Sequence, residues 1–260
     1  MITNGSLIDD TVAYKMSHDW DITSVQVSFD GDRDHYNKVK KFSQPEKYSF
    51  DSVICSLEKL MVFNIHLSIR MNYTTDNYAS LARLIDFFHS HKKFLMYKNI
   101  FYYVYPVWGS TDPSQYTSST NADMCLLDLL KKLVVYGMST PPKRLFRLNY
   151  RKNQCASCCV NSYTILPDGS LTKCSETYTE KIGDIYHGTQ NKEIENIWID
   201  TNIDKKCQEC VYLPLCQGGC RASKFNVMPQ CFAYKDILDD IIKWYVKYQQ
   251  DKLFGQVCKK

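Results

Sequence analysis

Cysteine spacing constrains this chain more than any other feature of its sequence. Nine of the 12 cysteines lie between Cys155 and Cys231. Four of the nine fall within fourteen residues, with two, five and three residues between neighbours. These four are Cys207, Cys210, Cys216 and Cys220. Gly218 and Gly219, inside the last interval, let the backbone turn tightly, so one short loop can wrap a metal ion or a cluster.

This density of thiols indicates metal ligands rather than a set of buried free cysteines. The chain does not open with a basic segment followed by an apolar run, so a cytoplasmic location is expected. In that reducing compartment, clustered thiols are metal ligands more often than disulfides. Zinc and iron–sulfur clusters both remain open, because two four-cysteine sites of either kind need eight thiolates. The isolated Cys55 and Cys125 are expected to fill apolar core.

Composition fits a globular protein and argues against two classes of partner. The sequence is 44% hydrophobic and 23% charged. Its net charge of +4 comes without a long basic run, so no nucleic-acid partner is expected. No stretch approaches the roughly 18 apolar residues of a membrane span, so no membrane partner is expected.

Residues 1–148 alternate strand and helix patterns, which predicts an α/β fold with a parallel sheet. A fragmentary strand at Met1–Thr3 precedes three stronger ones. These three are Ser24–Phe29, Ile65–Met71 and Ile100–Tyr105. Ser49 is a candidate N-cap for the helix that follows the first of them.

Two of these strands carry a polar face, whereas parallel strands covered on both sides are usually apolar throughout. Ser28, Asp30 and Arg70 lie on the polar faces, at the carboxyl ends of their strands. A barrel interior that holds polar ligands explains this pattern, and poorly buried strands are the alternative. Because chemistry in α/β barrels lies at the carboxyl ends of the strands, these three residues are candidate ligand contacts.

Residues 149–235 are rich in cysteine and turns, and residues 236–260 form a C-terminal helix and tail. Pro167-Asp168-Gly169 predicts the turn of a hairpin that ends at Cys174. The final helix is expected over Tyr234–Tyr248, where apolar residues recur at helical spacing. The chain is therefore divided at residues 148 and 235.

The cysteine pattern resembles the SPASM domain of radical S-adenosylmethionine (SAM) enzymes. The matching intervals run Cys155…Gly169-x4-Cys174, then Cys207-x2-Cys210-x5-Cys216-x3-Cys220, then Cys231. Thr3–Gly5, Ser28–Gly31 and Arg70–Asn72 resemble the third, fourth and fifth strands of the radical SAM barrel. The resemblance covers nearly the whole chain. It implies the C-terminal part of a partial (β/α)6 barrel followed by a SPASM domain.

The resemblance implies two auxiliary [4Fe–4S] clusters and bound SAM. One cluster would be held by Cys207, Cys210, Cys216 and Cys231. The other would be held by Cys155, Cys174 and Cys220, with Cys159 or Cys158 as the fourth ligand. Ser28, Asp30 and Arg70 would face the SAM.

Two motifs of that family do not occur in this sequence. One is the Cys-x3-Cys-x2-Cys motif, which binds the SAM-cleaving cluster after the first strand. The other is the glycine-rich SAM motif of the second strand. The chain is therefore expected to be N-terminally truncated, as a gene fragment, the product of a wrongly chosen start codon or half of a split enzyme. It is expected to be inactive alone.

Family chemistry leaves three functions open. A maturase of ribosomally made peptides would abstract a hydrogen from a peptide residue by means of a 5′-deoxyadenosyl radical. An anaerobic sulfatase maturase would carry Asp directly after the cysteine matching Cys174, where this chain has Ser175. A non-catalytic iron–sulfur electron-transfer or peptide-binding fragment is the third. The implied partners are a peptide or protein substrate and an electron donor such as flavodoxin or ferredoxin.

Overall fold

The chain forms two compact units in a computed structural model. The model describes residues 1–107, 124–138, 155–200, 202–225, 230–232 and 234–257. The first unit takes in 1–107, 124–138 and 236–257, and the second takes in the described residues from 155 to 235. The expected boundary at residue 148 lies outside the described residues.

A parallel sheet of four strands organises the first unit, as the alternation of strand and helix patterns predicted. The strands are β1 (Ile2–Thr3), β2 (Ser24–Phe29), β3 (His66–Tyr73) and β4 (Ile100–Pro106). They lie in sequence order across the sheet. Every adjacent pair is parallel, and Ser28 of β2 is in register with Arg70 of β3. The two strands with polar faces are therefore direct neighbours.

Helices connect and flank these strands. They are α1 (Asp10–His18), α2 (Arg33–Lys40), α3 (Phe50–Val62), α4 (Tyr78–Ser90), α5 (Lys92–Met96), α6 (Met124–Val135) and α10 (Leu238–Val257). Ser49 caps α3 as expected, because its side chain accepts a hydrogen bond from the amide of Ser52. Helix α10 begins and ends later than the expected Tyr234–Tyr248. None of the helices described here is long and apolar enough to cross a membrane.

Aromatic rings fill much of the core between the sheet and its helices. Phe29 of β2 contacts the rings of Tyr36, Phe50 and Phe88 at centroid distances of 5.1–5.7 Å. All four side chains are at most 1% exposed. Ring pairs at these distances add to the stabilisation from apolar burial. They anchor α2, α3 and α4 to β2.

The expectation that Cys55 and Cys125 fill core is wrong, because both are exposed. On α3 the buried stripe runs through Val53 and Leu57, and Cys55 lies to its side. The neighbouring Ser56 is buried instead, and its hydroxyl donates to the carbonyl of Ile8 at 2.8 Å. Ser56, whose hydroxyl has a backbone acceptor, is thus buried on α3, whereas the apolar pattern of the sequence predicted that Cys55 would be.

The second unit combines short antiparallel strands with short helices. They are β5 (Thr164–Ile165), β6 (Ser170–Thr172), β7 (Gly183–Asp184), β8 (Gly188–Thr189), α7 (Lys192–Ile199), α8 (Lys205–Gln208) and α9 (Leu213–Cys216). The strands form one sheet in sequence order. The predicted hairpin is present, since β5 pairs antiparallel with β6 across the Pro-Asp-Gly turn. Little of this unit is regular, so tertiary contacts must hold its loops.

Candidate metal centres and polar strand edge

Cys220 and the three cysteines that act on it electrostatically come from three stretches of the second unit. This first cysteine set consists of Cys155, Cys158, Cys174 and Cys220. Burial raises the pKa of the Cys220 thiol, and the other three thiols raise it further. Burial also raises the pKa of Cys174, and Cys155 adds to that shift. The fold thus gathers thiols that lie far apart in sequence.

Four further cysteines line one cavity in the same unit. This second cysteine set consists of Cys207, Cys210, Cys216 and Cys231. Burial raises the pKa of the Cys216 thiol, and the other three members raise it further. Tyr212 and Phe232 also line the cavity, with their rings edge to face at 6.2 Å. The four cysteines of this second set are the ones that the sequence analysis expected to share one cluster.

The chemistry of both sets fits a soft metal group. Thiolate sulfur is the ligand that zinc and iron–sulfur clusters use. Thiols lose their protons when they bind such a metal group. Among the residues that the structure describes, no three or more His, Cys, Asp or Glu side chains are grouped closely enough to hold one metal ion. The thiols of each set are neighbours, but they do not converge on the position of one metal ion.

The two adjacent cysteines of the first stretch have different surroundings. The Cys158 thiol acts on Cys220. The backbone carbonyl of Cys159 accepts a hydrogen bond from the Lys173 ammonium at 2.6 Å, and both thiols act on that ammonium. Sequence reasoning gave the fourth ligand to Cys159 or Cys158. Of these two, Cys158 acts on Cys220, and both act on Lys173.

Glycines shape the loop between the two cysteine sets. Gly218 and Gly219 have φ values of +88° and +86°, which side chains rarely adopt. A Cβ on Gly219 would lie 2.1 Å from the carbonyl oxygen of Gln230. That oxygen accepts a hydrogen bond from the amide of Cys220 at 2.9 Å. Only glycine allows this close approach, which fixes Cys220 beside the stretch that leads to Cys231.

Gln230 also contacts a thiol through its side chain. Its Nε2 donates to Oδ2 of Asp204 at 2.6 Å and to Sγ of Cys207 at 3.4 Å. Its backbone oxygen binds Cys220, so one residue touches a member of each cysteine set. Sequence reasoning missed Gln230, and its position directly before Cys231 was the one available signal.

Helix α7 supports the first cysteine set from the long interval between Cys174 and Cys207. It packs against the 3-10 turn Ala156–Cys158 and the 3-10 turn Arg221–Phe225. Its Trp198 is 1% exposed and stacks on Phe225 at 5.2 Å. The helix in this interval therefore supports the turn that carries Cys158 and the turn that directly follows Cys220.

In the first unit, the three candidate ligand contacts share one edge of the sheet. Ser28 and Arg70 are paired in register on the half-exposed faces of β2 and β3, and Asp30 follows β2. Arg70 Nε donates to Oδ1 of Asn72 at 2.9 Å, and Asn72 Nδ2 donates to Oδ1 of Asp30 at 2.8 Å. Lys40 Nζ lies 2.9 Å from the other oxygen of Asp30. Arg70 and Asp30 are thus joined through one amide.

Two side chains missed by sequence reasoning fix the backbone at this edge. Asn77 is 2% exposed, and its amide donates to the carbonyls of Asp30 and Asn72 at 2.8 Å each. Ser80 accepts from the amide of Asp32 at 2.8 Å, close to Gly31. A Cβ on Gly31 would lie 2.2 Å from the Ser80 hydroxyl oxygen, so the Asp-Gly sequence after β2 has a steric reason. Both contacts join residues more than forty positions apart, which leaves no local signal.

No family model matches the sequence, and no curated protein matches it. Solved structures do match. The structure of anSMEcpe with bound AdoMet gives a TM-score of 0.57 at 18% identity over 99% of this chain and 74% of that chain. The same protein with AdoMet and the Cp18Cys peptide gives 0.54 at 18% identity over 99% and 75%. Streptococcus suis SuiB bound to S-adenosylmethionine gives 0.50 at 14% identity over 89% and 57%.

Both of these proteins were solved with bound S-adenosylmethionine. At identities of 14–18%, this likeness shows a similar fold and nothing more. This protein therefore has a mixed α/β fold with a parallel sheet, like that of these structures.

Proposed function

We propose that this chain is a radical SAM/SPASM protein of the peptide-maturase type that holds two auxiliary [4Fe–4S] clusters. The observation that carries the proposal is the gathering of eight thiols into two sets of four. The likeness of the fold to AdoMet-bound enzymes supports it. A cytoplasmic location belongs to the same proposal, since such clusters need reduced thiols.

Each cysteine set is proposed to hold one cluster. The second set supplies its four thiols within one cavity. In the first set, Cys155, Cys174 and Cys220 are proposed ligands, and Cys159 or Cys158 completes the four. The action of Cys158 on Cys220 supports the latter choice. When bound, such clusters accept and pass single electrons.

The polar strand edge is proposed to bind SAM through Ser28, Asp30 and Arg70. SAM carries a carboxylate and an ammonium on one amino-acid moiety. A guanidinium binds carboxylates with two parallel hydrogen bonds, and a carboxylate accepts hydrogen bonds from an ammonium. Asn72 bonds both Arg70 and Asp30, so these side chains are oriented before a ligand arrives.

A peptide or protein is the proposed substrate, and flavodoxin or ferredoxin is the proposed electron donor. The peptide in the AdoMet complex of anSMEcpe supports this class of substrate. Binding of SAM to the anaerobic protein by calorimetry tests the strand edge. Arg70→Met is expected to weaken binding at least tenfold, and the control Lys93→Met, at a residue 64% exposed on the helix that precedes β4, should leave it unchanged. Equal affinities for both variants would contradict the assignment of Arg70.

A second candidate function is a non-catalytic iron–sulfur protein that transfers electrons or binds a peptide. It is favoured by the lack of a Cys-x3-Cys-x2-Cys motif among the 12 cysteines of the sequence. The reconstituted chain, incubated with SAM, dithionite and a cysteine-containing peptide, distinguishes the two candidates by mass spectrometry. Release of 5′-deoxyadenosine with a changed peptide mass supports the maturase. Retained clusters without SAM cleavage support the second candidate.

A further inference from the structure

Lys173 is a buried cation directly before Cys174. Its side chain is 3% exposed, although lysine is almost never fully buried without a partner. An unpaired buried charge is strongly unfavourable, so its surroundings must compensate. Those surroundings include the stretch that carries Cys158 and Cys159.

The Lys173 ammonium holds the loop that carries the upstream thiols. Its Nζ donates to the carbonyl oxygens of Cys159 at 2.6 Å and Val160 at 3.2 Å. These carbonyls directly follow the 3-10 turn on which Cys158 lies. Because Lys173 extends from the hairpin that leads to Cys174, it ties together two of the stretches that supply the set.

Burial lowers the pKa of Lys173, and nearby groups that favour its charged form oppose this effect. Its Nζ lies 4.8 Å from the centroid of the Tyr163 ring, in cation–π geometry. The Tyr163 hydroxyl is 3.4 Å from Oε1 of Glu195, a carboxylate that is only 2% exposed and acts electrostatically on Lys173. Glu195 is itself paired with the exposed Lys192 ammonium at 2.8 Å, so Lys173 shares this counter-charge across the Tyr163 ring.

We propose that Lys173 is a positioning residue that holds the first cysteine set in place and makes its cluster easier to reduce. This inference rests on the proposed function. Reduction adds one electron to [4Fe–4S]²⁺ and gives [4Fe–4S]⁺, which makes a group with four thiolates more negative. A nearby ammonium stabilises the reduced form more than the oxidised form, because net charge and hydrogen bonding set cluster potentials.

The test compares Lys173→Met with the matched control Lys181→Met in the full chain. Methionine keeps an apolar stem and removes the charge and the donors. Lys181 lies between β6 and β7 of the same sheet, but its side chain is 48% exposed and pairs with Asp168 at 2.7 Å. Each protein is loaded anaerobically with iron and sulfide and titrated with dithionite, with cluster reduction followed by electron paramagnetic resonance.

For Lys173→Met, one of the two clusters should become at least tenfold harder to reduce, which is about 59 mV for a one-electron couple. Loss of about four irons, with the other cluster retained, supports the positioning role equally. Lys181→Met should match the wild-type protein. Full iron loading with both potentials unchanged in Lys173→Met overturns the inference.

A second variant is expected to shift the reduction potential in the opposite direction, and it replaces Lys173→Met if that variant does not fold. Glu195→Gln removes the counter-charge, so the same cluster should become easier to reduce. An unchanged potential in that variant overturns the inference. Wild-type protein that takes up no iron contradicts the proposed function itself. Iron-loaded wild-type protein with insensitive variants contradicts only the role of Lys173.

Discussion

Alanine in place of Gly219 should destabilise the second unit more than alanine in place of Gly218. Both glycines have positive φ, at +86° and +88°. A Cβ on Gly218 would meet only the side chain of Ile203 at 3.6 Å, which is ordinary contact. A Cβ on Gly219 would lie 2.1 Å from the backbone oxygen of Gln230. The two variants share the dihedral strain and differ in the clash.

The magnitudes follow from these two terms. A left-handed conformation costs a residue with a side chain roughly 1–2 kcal/mol. Relief of the clash must move Gln230 and break the hydrogen bond that its oxygen accepts from Cys220 at 2.9 Å. Loss of a typical hydrogen bond costs about 0.5–1.5 kcal/mol. We expect roughly 1–2 kcal/mol for Gly218→Ala and roughly 1.5–3.5 kcal/mol for Gly219→Ala.

Urea unfolding of the anaerobic protein, followed by circular dichroism and tryptophan fluorescence, measures this difference. Both variants should unfold at lower urea than the wild type, and Gly219→Ala at the lowest concentration. Iron retained after gel filtration gives a second readout, which should fall most in the same variant because Cys220 loses its fixed position. Equal midpoints for the two variants would refute the reasoning, since dihedral strain would then account for the whole cost.

Two further predictions concern the polar strand edge. Asn77→Ala removes the hydrogen bonds that its amide donates to the partly buried carbonyls of Asp30 and Asn72, so the free energy of unfolding should fall by about 1–3 kcal/mol, and an unchanged urea midpoint contradicts this. Burial raises the pKa of Asp32, but hydrogen bonds from Ser80 and Arg83 outweigh that effect and lower the pKa overall. Its contribution to stability is therefore present above the unfolded pKa of about 3.9 and is lost as pH falls through the lower folded value. Asp32→Asn should reduce the loss of stability between about pH 5 and pH 2, and urea midpoints that fall equally in both proteins would contradict this.

Periodicity in the sequence predicted the parallel sheet, because β2, β3 and β4 have strong alternating patterns. The same patterns placed Ser28 and Arg70 on polar faces, which are half exposed in the structure. Helix α2 was not predicted, since it is short and polar and buries only Tyr36. A single buried ring gives no periodic signal, so tertiary packing decides that helix.

The contacts that complete the candidate sites could not be predicted, because they join distant residues. Lys173 and Glu195 are 22 positions apart in the numbering, and nothing local marks either as buried. Gln230 and Cys207 are separated by a similar distance. Cysteine spacing could indicate the candidate ligands, but not the side chains that hold the ligand loops.

Iron, sulfide and zinc content after strictly anaerobic purification tests the central claim most directly. Two auxiliary clusters predict about eight irons per chain with matching sulfide. Cys216→Ala should lower the iron content by up to half, and Cys55→Ala, at an exposed cysteine outside both sets, should not change it. About two zincs per chain without sulfide would contradict the account, because the cysteines would then form structural metal sites.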